Sequence, residues 1–212
     1  MAEAPQFNAP FLDQFEALLR WRRDVRQFSA QALAPGLLED LIASAKLAPS
    51  VGLSEPWRFV IVQDPARRAA IRASFAKANA AALQGYAGEK ASRYAALKLE
   101  GFEAPSQLAV YCQPFPAQGS GLGRQSMPET AEYSVVSAIQ ILWLQARAKG
   151  VGVGWVSILD PQEVSAALDV PSEWKLVAYL CLGYPKENSS EPELQRQGWE
   201  SRRDPLSGVF LR

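Results

Sequence analysis

Arg22, Arg23, Asp24, Val25 and Arg26 place three guanidiniums and one carboxylate within five residues. An arginine fork pairs bidentately with phosphate or carboxylate oxygens, and a carboxylate facing the same ligand is an acceptor or proton-transfer group. Taken alone, the run reads first as a solvated helix end with internal arginine–aspartate pairing. Two further stretches change that reading. Pro49 to Phe59 sets Ser50 in a Pro-Ser turn, where its hydroxyl can meet a ligand. Gly150 to Asp160 alternates Gly150, Gly152 and Gly154 with β-branched and aromatic residues and ends near Ser157. Alternating glycines let another group approach one face of a strand, and either a planar ligand or tight packing of the chain itself satisfies that pattern.

The chain has no histidine. Histidine triads, histidine zinc sites and histidine proton shuttles are therefore excluded, and Cys112 and Cys181 alone make a poor metal set, so no metal site is expected. Acid–base work falls to Asp, Glu, Lys, Tyr, Cys or water, and chemistry beyond that repertoire calls for an organic cofactor. Gly119 to Gly123 is glycine-rich, but it lacks the G-x-G-x-x-G spacing and the strand-to-helix turn of a dinucleotide fingerprint. It reads instead as a mobile loop or lid, and no nicotinamide site is recognisable.

These residues need elements to position them. The arginine cluster follows an amphipathic segment carrying Phe11, Phe15, Leu18, Leu19 and Trp21. Helices are expected from Pro35 to about Lys46, Pro65 to Leu83, Glu89 to Glu100, Thr130 to Lys149 and Pro161 to Leu168. Strands are expected at Trp57 to Val62, Leu108 to Cys112, Val151 to Ile158 and Leu176 to Leu182. The Thr130 helix is apolar almost all round, yet Glu132, Gln140, Gln145 and Arg147 interrupt it, so burial in protein is expected rather than a membrane span. Strands alternating with helices give an α+β or mixed α/β sandwich.

At this order and spacing, the arginine cluster, the Ser50 turn and the Gly154-Trp155-Val156-Ser157 segment resemble the flavin-binding nitroreductase-like family. The aspartate in Arg-Arg-Asp-Val-Arg, together with Met127-Pro128-Glu129-Thr130, is similar to its flavin-destroying branch, the 5,6-dimethylbenzimidazole synthases. The resemblance implies an α+β, three-layer α/β/α sandwich with a mixed sheet, in one domain over residues 1–212, dimeric through the long helix. It implies reduced FMN as substrate and dioxygen as co-substrate, yielding 5,6-dimethylbenzimidazole and erythrose 4-phosphate. On the same ground Asp24 and Ser157 are the catalytic candidates. Arg22, Arg23, Asp24, Val25, Arg26, Ser50, Leu99 and Ser157 are the flavin-binding ones.

Composition agrees with a globular protein. The chain of 212 residues is 48% hydrophobic, enough for a substantial core. Lys plus Arg and Asp plus Glu stand at 22 each, so no net field draws the protein to nucleic acid or anionic membrane. The start, Met-Ala-Glu-Ala-Pro-Gln-Phe, has neither the basic segment nor the apolar run of a signal peptide, which makes the cytoplasm the expected compartment. The resemblance implies a second copy of the chain and an external flavin reductase as partners. The rival expectations are an NAD(P)H-dependent nitroreductase or quinone reductase that keeps its flavin, and a flavin-binding protein without catalysis.

Overall fold

A computed structural model describes residues 3–97 and 99–212. In chain order the elements are α1 (Ala9–Trp21), α2 (Leu37–Ala45), a 3-10 turn (Val51–Leu53), β1 (Trp57–Ile61), α3 (Pro65–Leu83) and α4 (Gly88–Ala96). Then follow β2 (Ser106–Cys112), α5 (Thr130–Ala148), β3 (Gly152–Val156), α6 (Pro161–Leu168), β4 (Lys175–Gly183) and the short α7 (Glu193–Arg196). Several starts are written locally. Asn8, Asp64 and Asp160 each cap a helix by accepting a backbone N–H near its first turn, and a proline in that turn gives up a donor no helix would use.

The four strands form one sheet in the order β1-β2-β4-β3, every pair antiparallel. The mixed pairing expected of the sheet is confined to one isolated parallel bridge, Asp24 to Val153, along the free edge of β3. Each face of the sheet carries its own core. On one side α2 and α5 cover Leu108, Val110, Val153, Leu180 and Leu182. On the other, α3 and α6 cover Ala109, Tyr111, Val156, Tyr179 and Cys181. The alternation of neighbours such as Val110 and Tyr111 between two cores is the period of 2 that a sheet buried on both faces requires. The result is the expected three-layer α/β/α sandwich.

α5 spans the first of these layers. Ala131, Val135, Ala138, Ile139, Leu142 and Ala146 are fully buried at helical spacing, whereas Tyr133 and Val136 on its other side are exposed. α1 contributes no buried residue at all, and Phe11, Leu12, Phe15, Leu19 and Trp21 lie open. Among the described residues, no helix is long and apolar enough to cross a membrane.

Candidate active site

α1 ends at Arg22, whose N–H still reaches Leu18 O while its backbone turns extended. The chain then runs along β3, with Val25 N–H donating to Val153 O at 3.0 Å. Glycines make this approach possible. A Cβ on Gly154 would stand 2.2 Å from Val25 O, and one on Gly152 would stand 2.8 Å from Val25 Cγ2. The group that the alternating glycines admit is therefore the protein's own Asp24–Val25 segment, pressed onto the strand.

That docking delivers Asp24 to a defined place. Its Oδ1 accepts the N–H of Trp155 at 2.9 Å, and its Oδ2 meets Arg26 Nη2 at 2.5 Å. The side chain keeps 36% of its surface exposed. Burial pushes the carboxyl above the usual aspartate range, and Arg26, the Trp155 N–H and Arg22 pull the other way without cancelling it. A carboxyl so raised, hydrogen-bonded at a fixed position and still reachable from solvent, is suited to passing a proton.

Around it gathers positive charge. The Arg22 guanidinium lies 4.8 Å from the centre of the Trp143 ring, and Trp143 Nε1 donates to Arg23 O at 3.3 Å. Arg23 directs Nε and Nη2 at Ser190 O. Burial lowers the pKa of both arginines, and Arg202 lowers each further; Arg147 adds to the repulsion on Arg23. Arg147 lies near the end of α5 with its guanidinium over Trp21 and Nη2 on Asn188 Oδ1, while its buried Nε has no acceptor among the described residues. Arg22 and Arg23, whose charging neighbouring arginines oppose, together with the orphaned buried donor of Arg147, fit an anion such as a phosphate.

Arg147 and Arg202 were absent from the sequence-based set. Arg147 reads there as a charge interrupting an apolar helix. The available signal was the position of Arg147, four residues after Trp143 and so on the same helix face.

The remaining candidates fall unevenly. Val25 packs beside the second core. Arg26 sends Nη1 to Leu99 O at 2.6 Å, which brings half-buried Leu99 into contact with the cluster. Ser157 is exposed just past β3, two residues beyond Trp155 and thus roughly 6.6 Å along an extended chain. Ser50 is not brought to Asp24 within one chain. Its Oγ accepts Glu55 N–H at 3.1 Å, and the next residue donates to Ser134 Oγ, near the opposite end of α5 from Arg147. Ser134 and Trp143 are separated by about 13 Å of helix.

The glycine-rich loop lies against the turn that follows Ser50. A Cβ on Gly119 would lie 2.5 Å from Gly52 O, Gln118 bonds Leu53 O, and Arg124 holds the carbonyls of Pro114 and Pro116. Cys112 and Cys181 are buried free thiols, pushed up to about 11 and about 12 mainly by desolvation, and so are poor nucleophiles. Among the described residues, no three His, Cys, Asp or Glu side chains converge as a metal set.

The Nitroreductase family profile matches residues 19–184, from the end of α1 through the last strand. The chain belongs to the nitroreductase family. Within that family it is 56% identical to the 5,6-dimethylbenzimidazole synthase of Rhodospirillum rubrum, an alignment covering 96% of this chain and 97% of the relative. It is 47% identical to the synthase of that name from Rhodobacter capsulatus, over 92% and 94% of the two chains. Among solved nitroreductase-like structures, iodotyrosine deiodinase bound to FMN and 3-iodo-L-tyrosine superposes with a TM-score of 0.70 at 24% identity, over 93% and 97% of the chains. A BluB-like flavoprotein from Clostridium difficile gives 0.68 at 20% identity, over 93% and 98%. At such identities these structures speak for the fold.

Proposed function

We propose that this protein is a 5,6-dimethylbenzimidazole synthase, which consumes reduced FMN and dioxygen and releases 5,6-dimethylbenzimidazole and erythrose 4-phosphate for the lower ligand of vitamin B12. The observation that carries the reading is the placement of Asp24. A carboxyl held by a strand peptide stands within a group of arginines, where a purely electron-transferring flavoprotein needs only phosphate-binding charge. High identity to synthases across nearly the whole chain supports it.

Reduced FMN supplies the electrons and, with dioxygen, the bonds that rearrange. The protein's residues have the simpler tasks of holding, shielding and moving protons. Arg22, Arg23, Arg147 and Arg202 take the phosphate, and the stacked Arg22–Trp143 pair keeps one of those cations oriented when the anion is absent. Asp24 would be the group that moves protons to and from the bound flavin. A serine hydroxyl in its place is too weak an acid or base at neutral pH for that work. Leu99 would pack against the ring, and Ser157 would offer a hydroxyl to it.

The working unit is a homodimer. The crevice beside Arg23, Arg26 and Arg147 has a volume of about 70 Å³ in one chain, against roughly 300–1,000 Å³ for ordinary ligand sites. A second copy supplies the missing wall and the Ser50 turn. The apolar side of α1 and the outward residues Tyr133 and Val136 of α5 are the surfaces it covers. An external reductase delivers reduced flavin, and two buried free thiols suit the reducing cytoplasm.

The test is to reduce FMN anaerobically with stoichiometric protein, admit dioxygen and follow the mixture by absorbance and mass spectrometry. A 5,6-dimethylbenzimidazole mass with permanent loss of flavin absorbance supports the reading; full return of oxidised FMN replaces it with a reductase or carrier.

A further inference from the structure

Arg26 turns its guanidinium inward. Nη1 donates to Leu99 O at 2.6 Å, Nη2 donates to Trp155 O at 3.1 Å, and the same Nη2 meets Asp24 Oδ2 at 2.5 Å. The Trp155 peptide closes the circuit, because its N–H holds the other carboxylate oxygen at 2.9 Å. Asp24 and Arg26 thus grip one residue of β3, Asp24 at its N–H and Arg26 at its C=O. With 17% of its side chain exposed, Arg26 presents little of itself to solvent.

We propose that Arg26 is a positioning residue, which fixes the Asp24 carboxylate against β3 and fastens it to the Leu99 segment that follows α4. This rests on the reading of Asp24 as the proton-transfer group. The geometry needs arginine in particular. A planar fork can address Leu99 O with one nitrogen and Asp24 and Trp155 O with the other, whereas lysine offers a single compact charge at the end of a flexible stem. Among the described residues no sheet ladder joins the Leu99 and Asp24 segments, and the fork is a direct polar tie between them. A site that must hold a carboxylate at one part of a flavin and a hydrophobic side chain at another gains from such a tie, since small misplacements of a reacting group cost rate heavily.

The other charged and titratable groups facing Asp24 are few. Arg22 on its own segment also favours the anion. Cys181 on β4 lies within electrostatic range but stays a neutral thiol. Arg26 is therefore the largest electrostatic influence opposing burial of the carboxyl.

Carbon-13 NMR of aspartate-labelled, flavin-free protein tests this directly, with the Asp24 carboxyl assigned by its disappearance in Asp24→Asn. Arg26→Gln moves the Asp24 titration midpoint upward, because the ionised form loses its closest cation. Arg26→Lys leaves that midpoint nearer the wild type yet speeds amide hydrogen exchange over residues 99–101. With reduced FMN, both variants form product more slowly, on the order of a hundredfold for Arg26→Gln, while FMN affinity changes far less than the rate. An unmoved midpoint in Arg26→Gln overturns the proposal, as does a loss of FMN affinity that matches the loss of rate, which would make Arg26 a ligand. If Arg26→Gln does not fold, unchanged exchange and rate in Arg26→Lys overturn it equally. A midpoint that moves in protein whose wild type fragments no flavin keeps the positioning role and removes the synthase reading instead.

Discussion

The backbone N–H of Trp155 donates to Asp24 Oδ1 at 2.9 Å, so strand β3 sets where the carboxylate of the arginine segment stands. Residues far apart in the chain thereby share one site, and each element of the arrangement can be perturbed separately.

Asp24→Asn keeps the shape of the carboxyl and most of its packing but cannot accept a proton. Binding of reduced FMN is retained, and benzimidazole formation falls by about 10²- to 10⁴-fold, the usual contribution of a positioned proton-transfer group. Single-turnover kinetics with mass detection of the product checks this; an unchanged yield removes Asp24 from the chemistry.

The raised Asp24 carboxyl also predicts a pH dependence of stability. A group whose folded pKa lies above its unfolded value binds protons more tightly when folded. Its contribution is complete below the unfolded aspartate value and is lost as pH rises through the raised folded one. Urea midpoints of the flavin-free protein should therefore decline across that acidic window in the wild type, and the decline should be smaller in Asp24→Asn.

Arg147→Ala and Arg202→Ala test the phosphate subsite without touching Asp24. Each should weaken FMN binding by about tenfold or more, as expected for charge-assisted hydrogen bonds of about 1.5–3 kcal/mol. Riboflavin, which lacks the phosphate, should bind the variants and the wild type alike. Equal losses for both ligands would place these arginines elsewhere in recognition.

Gly154→Ala puts a methyl group where Val25 O already stands, 2.2 Å from the new carbon. The backbone must yield, so the Asp24 segment lifts from β3. A loss of stability of about 1–3 kcal/mol is expected from this overpacking, together with loss of product formation. Thermal unfolding and turnover on the same variant check both.

Phe15→Glu on the open face of α1 tests assembly. The variant should sediment as a monomer and lose FMN binding, because the crevice of one chain is small and Ser50 lies near the far end of α5. A folded monomer that binds FMN normally would contradict a shared site.

Much of this was readable beforehand. The helix Pro65–Leu83 and the helix Pro161–Leu168 have the bounds expected of them, because Asp-Pro starts and helical spacing are local signals. The stretches on which the family resemblance rests, Arg22 to Arg26 and Gly154 to Ser157, were likewise visible as motifs. What escaped depends on the path of the chain in space. Composition does not state whether neighbouring strands run parallel, and here they run antiparallel save for the Asp24–Val153 bridge. The glycines of β3 announced a close approach but not which group makes it. Arg147 joins the cluster only through tertiary packing, and the separation of Ser50 from Asp24 follows from the length of α5.

The contact between Asp24 and Trp155 spans 131 positions of sequence. On a ribosome, the arginine segment is made long before the strand that receives it, and the sheet edge does not exist until Gly152 to Val156 have emerged and paired with β4. Throughout that interval the cationic run has no carboxylate-positioning partner in the nascent chain. The future site is therefore among the first parts of the protein to be synthesised and among the last to acquire its form.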